Sequence, residues 1–196
     1  MKLRTVLLFG APGAGKGTQG KILATIPNFY HFSSGEVFRN LSPESELGAI
    51  FIDYSSRGQL VPDDPTIRLW QHNIGVAEHE GQFNPKLDTL ILDGIPRNRR
   101  QAEMLHGTVD VRCVIYLSCP DMSKLVARLQ RRALRENRLD DANIEVIRHR
   151  LETYERETRP VLDFYGAEVV RTIDSTQSPI DVLRNILDAL AKFVPH

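Results

Sequence analysis

Gly10-Ala11-Pro12-Gly13-Ala14-Gly15-Lys16 fits the pattern GxxxxGK, placed between a short apolar run and a helical stretch. Glycines at these positions let backbone amides turn inward on phosphate oxygens, and the following helix adds its positive N-terminal end. Lys16 can then reach the β- and γ-phosphates of a nucleotide. The chemistry on offer is the binding and polarising of a polyphosphate. Gly17 follows the lysine and the hydroxyl comes one place later, at Thr18, a spelling that points away from a generic switch GTPase. The cations are lopsided, 19 Arg against 6 Lys. Arginine presents a planar fork of donors that suits phosphate oxygens, although some surfaces simply drift toward arginine, so position must decide. Between Lys124 and Arg138 six cations face only Glu136, and such a run is usually a solvated face.

The elements that must position these residues are legible as short apolar runs. Thr5 to Phe9 reads as a buried strand, followed by the glycine-rich loop and a helix over Thr18 to Ile26. Phe29 to Phe32 is a second strand, ending at Ser33-Ser34-Gly35, where a serine can cap a helix starting near Glu36. Leu90 to Leu92 is a third, ending at Asp93-Gly94, and Val111 to Leu117 a fourth, closed by Pro120-Asp121 before an Arg-rich helix. Val169 to Ile173 makes a fifth. Strands separated by helical stretches predict an α/β fold with a parallel, doubly wound sheet. Residues 34 to 62 are more helical than a crossover needs, with Leu47, Ile50, Phe51 and Tyr54 on one face, and read as a small inserted lobe. Ile147, Leu151, Tyr154, Thr158, Val161 and Tyr165 keep a helical stripe that stops at Gly166, and Leu183, Ile186, Leu187 and Leu190 predict a last amphipathic helix.

Composition excludes several classes. In 196 residues, 25 basic side chains balance 25 acidic ones, so binding to nucleic acid or to an anionic membrane through net charge is not expected. The length suits one domain with insertions. Cys113 and Cys119 form neither a disulfide framework nor a zinc cluster, which fits a reducing, cytoplasmic setting. The apolar run before Gly10 is too short for a secretory or membrane segment, so a soluble protein is expected.

Five ordered blocks carry a resemblance. They are Gly10 to Gln19; Ser33-Ser34-Gly35-Glu36 with Arg39; Gly58-Gln59-Leu60-Val61-Pro62-Asp63-Asp64; Leu92-Asp93-Gly94-Ile95-Pro96-Arg97 with Gln101; and Arg138-Leu139-Asp140-Asp141 followed by Arg150, Tyr154, Thr158 and Pro160. Together they resemble the adenylate kinases, nucleoside monophosphate kinases of short-lid form, from about residue 3 to about residue 190. The resemblance implies a P-loop kinase fold over 1–196: a five-stranded parallel sheet flanked by helices, an inserted monophosphate-binding lobe at 33–62 and a short lid at 128–141. It also implies the reaction of Mg·ATP with AMP to give two ADP. ATP would lie on Gly13, Ala14, Gly15, Lys16, Gly17 and Thr18, with Arg128, Arg132 and Gln177. AMP would meet Ser34, Arg39, Gln59, Leu60, Val61, Gly94, Ile95, Pro96, Arg97, Gln101, Arg138 and Arg150, with Gln101 as the reader of adenine, since a carboxamide offers a donor and an acceptor together. Lys16, Arg97, Arg132, Arg138 and Arg150 would be the catalytic cations, and Thr18 and Asp93 would hold Mg²⁺, partly through water. Asp140 and Asp141 would orient arginines; Arg99, Arg100, Arg131 and Arg135 would be solvated.

Some positions depart from the family pattern. Ser34 stands for the more usual threonine, Ile95 for the more usual phenylalanine, and the step from Asp141 to Arg150 is one residue longer than usual. Asn98 occurs in uridylate and cytidylate kinases, so a pyrimidine or broad monophosphate kinase is the enzymatic alternative. A nucleotide sensor without turnover is the non-enzymatic one. No structural zinc is expected, because the lid lacks a cysteine quartet. The resemblance favours a monomer whose partners are small nucleotides.

Overall fold

The computed structural model describes residues 1–136, 138, 141 and 143–193. Strands β1 (Leu3–Gly10), β2 (Phe29–Ser33), β3 (Thr89–Asp93), β4 (Val109–Ser118) and β5 (Val170–Asp174) form one sheet in the order β2-β3-β1-β4-β5. Every neighbouring pair is parallel, as the α/β pattern predicts. The strands outrun or shift from the apolar runs that announce them because hydrogen bonding with a neighbour, not hydrophobicity, ends a strand. Thus Leu3 pairs with Val109 and Gly10 with Leu117, outside Thr5 to Phe9.

Around the sheet lie α1 (Lys16–Leu23), α2 (Ser34–Arg39), α3 (Glu46–Ser56), α4 (Asp63–His79), α5 (Arg99–Leu105), α6 (Met122–Glu136), α7 (Ile144–Thr153), α8 (Val161–Tyr165) and α9 (Pro179–Leu190). A π-helical turn, Tyr154–Thr158, joins α7 to α8. Alternation along the strands feeds two cores. Val6, Leu8 and Ile91 pack with Leu125 and Leu129 of α6 and Ile186 of α9 on one face; Leu7, Phe9, Leu90 and Leu92 pack with Trp70 of α4 and Leu105 of α5 on the other. Both faces are covered, which is why the strands read as continuous apolar runs.

Three local expectations are corrected. No serine side chain caps α2: Ser33 occupies the cap position without a side-chain bond, and the Ser34 hydroxyl donates to the Gly94 carbonyl at 2.7 Å instead. A partner sixty residues away outcompetes the local cap. Helix α1 begins at Lys16 rather than Thr18, because Gly15 is left-handed (φ 101°) and turns the loop straight into the helix. Between Pro62 and Leu90, where no unbroken apolar run announces a helix, α4 extends for 17 residues. Its stripe of Ile67, Trp70, Ile74 and Ala77 is buried, and Pro65 sits in the first turn, where a missing N–H costs no helical bond. The stripe Leu47, Ile50, Phe51 and Tyr54 on α3 is only half-buried, with Phe51 stacked on Phe38 of α2 at 5.3 Å between ring centroids.

Helix α6 is continuous from Met122 to Glu136, so the larger part of the stretch 128–141 is helix anchored by buried Leu125 and Leu129. Asp140 lies outside the described residues. Among the described residues, no helix is long and apolar enough to cross a membrane.

Candidate active site

The carboxyl ends of parallel strands are where an open α/β sheet leaves a crevice, at the point where strand order reverses. Here β1 ends in the glycine loop and adjacent β3 ends at Asp93, with Leu8 and Asp93 in register. β2 delivers Ser34, β4 leads into the arginines of α6, and β5 leads to Gln177. Between them lies a cleft of about 940 Å³.

The loop is held by close contacts that exclude side chains. Gly10 has φ 147° and a Cβ there would stand 2.7 Å from the Leu117 carbonyl oxygen. Gly13 has φ 85° and rests on α6, where a Cβ would meet the Leu125 carbonyl oxygen at 3.1 Å and Leu129 Cγ at 3.2 Å. Lys16 Nζ donates to the carbonyls of Gly10 (2.6 Å) and Ala11 (3.1 Å). Burial pulls its pKa down; Asp93 opposes this, Arg97, Arg132 and Arg150 add to it, and the result is about 8.

Asp93 is the main local counter-charge and is buried. Burial pushes its carboxyl up, but nearby His31 and the charges of Lys16 and Arg97 outweigh this and hold it below the usual carboxylate range. His31 Nε2 stands 3.7 Å from Asp93 Oδ2, too far for a hydrogen bond and close enough for electrostatics. His31 in turn presses on α1, where a Cβ at Gly20 would lie 2.3 Å from Nε2.

The arginines are oriented individually. Arg97 Nε donates to the Gly94 carbonyl (2.8 Å), its backbone N–H donates to Gln101 Oε1 (2.7 Å), and its carbonyl accepts from the Thr158 hydroxyl (2.7 Å). Arg128 Nη2 donates to the Ser175 carbonyl at 2.9 Å. Asp141, whose side chain is fully buried, accepts from Arg132 Nε and Nη2 at 2.8 and 2.5 Å on one oxygen and from Arg150 Nη1 on the other. Arg138 pairs with Glu136 at 2.5 Å.

The cleft is lined by Gly13, Ala14, Gly15, Lys16, Gly17, Thr18, Arg39, Gln59, Leu60, Asp93, Gly94, Pro96, Arg97, Arg128, Arg132, Arg138, Arg150 and Gln177. A narrower pocket adjoins it, sharing Arg39, Gln59, Gly94, Arg97 and Arg150 and adding Ser34, Val61 and Gln101. Ile95 is not brought in: it lies beyond the end of β3, where the left-handed Gly94 (φ 80°) breaks the strand's alternation, and it is buried with Leu90 and Leu92 at 1% exposure. Arg131 and Arg135 are exposed, yet line the mouth of the cleft. His31, the Ser175 carbonyl and the bonding of Thr158 to Arg97 carry no signal in the sequence. No motif marks a backbone carbonyl, and the Thr158 contact spans 61 positions.

A family model described as adenylate kinase matches residues 8–170. The chain belongs to the adenylate kinase family. An adenylate kinase of Thermobifida fusca is 37% identical to it, covering 94% of this chain and 97% of the relative. One from Cyanothece is 37% identical over 94% and 95%, and one from Streptomyces coelicolor 32% identical over 95% and 98%. The chain thus spans nearly the full length of these adenylate kinases and is a phosphotransferase by family. The adenylate kinase match covers the phosphate loop, Asp93, Arg97 and the arginines of α6 and α7 alike.

Proposed function

We propose that this enzyme transfers the γ-phosphoryl group of Mg·ATP to AMP, reversibly giving two ADP, at the cleft between the β1 loop and α6. An AMP phosphate oxygen attacks the γ-phosphorus while the bond to the β–γ bridging oxygen breaks. Two polyanions must meet, so catalysis consists of alignment and charge neutralisation. The observation that carries the proposal is the convergence of Lys16, Arg97, Arg132 and Arg150 on the lining of one cleft, where burial lowers the Lys16 pKa to about 8 and the three arginines add to the shift.

In this reading Lys16 and the loop amides hold the β- and γ-phosphates, with Arg128, Arg132 and Gln177 on the ATP side. Arg39 and Arg97 meet the AMP phosphate, Gln101 reads the base, and Arg138 and Arg150 neutralise the group in flight. The helices within 33–62 act as the monophosphate lobe and residues 128–141, carried largely by α6, act as the lid. Closure excludes water, which would otherwise accept the phosphoryl group. Thr18 and Asp93 offer Mg²⁺ one hydroxyl and one carboxylate, and among the described residues no group of three or more His, Cys, Asp or Glu could hold an ion. So small a donor set suits an ion that keeps waters and rides on substrate phosphates. Mg²⁺ held there would supply positive charge to the phosphates of ATP.

The test is disproportionation of ADP by the purified protein, followed by a panel of monophosphates with Mg·ATP. Conversion of ADP to ATP and AMP, with AMP the preferred acceptor, is the expected result. Binding of ADP without conversion would favour a sensor, and preference for UMP or CMP would overturn the role of Gln101.

A further inference from the structure

Beside the reacting cleft, residues of α4 and of the turn into α5 close a hydrogen-bond network. Asp63, the first residue of α4, accepts on Oδ1 from Asn98 Nδ2 at 2.8 Å and from Gln101 Nε2 at 2.9 Å. Gln101 Oε1 accepts from the Arg97 backbone N–H at 2.7 Å, and Asn98 Oδ1 accepts from the Gln101 backbone N–H at 2.8 Å, capping α5. A carboxylate only accepts and a backbone N–H only donates. Each carboxamide is gripped at both ends by partners whose polarity cannot change. Neither can turn end for end without setting an amine against an N–H and a carbonyl against a carboxylate. Gln101 is 1% exposed and the Asp63 side chain 19%, so water cannot readily repair such a mismatch.

What Gln101 keeps in reserve is one N–H on Nε2 and one lone pair on Oε1, beside the narrow pocket that it lines with Ser34 and Val61. The pairing edge of adenine sets an acceptor, N1, beside a donor, the 6-amino group. A 6-oxopurine sets a donor, N1–H, beside an acceptor, O6, which is the reverse order. A carboxamide free to rotate would match either base in the same pose. One held in a fixed direction matches only one of them.

We propose that Asp63 is the positioning residue for base selection: by holding Gln101 in one direction it matches an amino-substituted base and opposes an oxo-substituted one. The proposal rests on the assignment of this pocket to the monophosphate. Arg100, whose Nε lies 3.8 Å from Asp63 Oδ2 and whose side chain is 66% exposed, reaches Asp64 as well and makes no contact with the amides that these bonds record. Asp64 therefore serves as the charge-matched control.

The experiment measures kcat/KM for AMP and for IMP, with Mg·ATP saturating, in the wild type, Asp63→Asn and Asp64→Asn. An asparagine at 63 can present either end to Gln101, so one of the two grips on the carboxamide no longer sets its direction and only the Arg97 N–H still opposes a turn. The expected result is a fall of about tenfold or more in the AMP-to-IMP ratio for Asp63→Asn, with KM for ATP nearly unchanged and the ratio of Asp64→Asn equal to that of the wild type. In a Gln101→Leu background Asp63→Asn should leave the ratio unaltered, because no carboxamide remains to turn. Should Asp63→Asn not yield folded protein, Asp63→Ser is measured in the same way. A folded variant that keeps the wild-type ratio, or that loses AMP and IMP activity in equal proportion, overturns the positioning role. A wild-type enzyme preferring IMP or UMP to AMP would instead overturn the pocket assignment, and the proposal with it, so the two failures are read apart.

Discussion

Lys16 lines the cleft at a cost to stability. Its charge is disfavoured by burial and by three arginines, and its folded pKa near 8 lies below the 10.5 of an unfolded lysine. Between those values the unfolded chain binds more protons than the folded one, so stability attributable to this group rises with pH across that window. Relative to Lys16→Met, the nucleotide-free wild type should gain on the order of 3 kcal/mol between pH 8 and 10.5, as measured by urea unfolding. The same substitution should lower turnover by about 10³ to 10⁵, the scale associated with cations that stabilise a transferring phosphoryl group. Near wild-type turnover in the folded variant would remove Lys16 from the mechanism. Asp141 is the complementary case. It is fully buried and bridges Arg132 and Arg150, so Asp141→Ala leaves two guanidinium groups facing one another without their shared acceptor. A loss of about 3 kcal/mol in unfolding free energy is expected. Turnover should fall as well, because both arginines lose their direction.

At the scale of elements, the phosphate loop and α6 form one packed unit. Gly13 rests directly on Leu125 and Leu129, and Leu129 has no exposed surface. Leu129→Ala should cost about 2 to 5 kcal/mol of stability, and, with ATP on the glycine loop as proposed, it should raise KM for ATP more than KM for AMP because the cavity opens beneath that loop. Equal effects on both substrates would separate the helix from the loop. The same packing explains why the arginine run of α6 is more than a solvated face. Two leucines four residues apart fix the rotation of the helix, and that rotation aims Arg128 and Arg132 at the cleft while Arg131 and Arg135 remain exposed at its mouth. A run of cations in sequence carries no such sorting. Helix α4 went unrecognised for a related reason. Its apolar stripe is diluted by charged and polar residues, and only packing against the far face of the sheet selects Trp70 and Ile74 as core.

For the whole molecule, equal numbers of acids and bases exclude binding through net charge, yet Lys16, Arg39, Arg97, Arg128, Arg132, Arg138 and Arg150 all line one cleft. Binding of ADP should therefore weaken several-fold from low to high salt despite the neutral total, as isothermal titration across a salt series would show; salt-independent affinity would contradict a cationic cleft. The sequence by itself determined the glycine-rich loop, the parallel α/β order, the family and most of the residues that line the cleft, because those depend on glycine at fixed spacing, on apolar periodicity and on motifs of a few contiguous residues. Tertiary structure alone decided that Ser34 bonds Gly94, that Ile95 turns into the core, that Asp141 joins two arginines and that Asp63 directs Gln101. Such contacts join positions far apart in the chain, and their polarity and distance exist only once the strands are in register and the helices have packed.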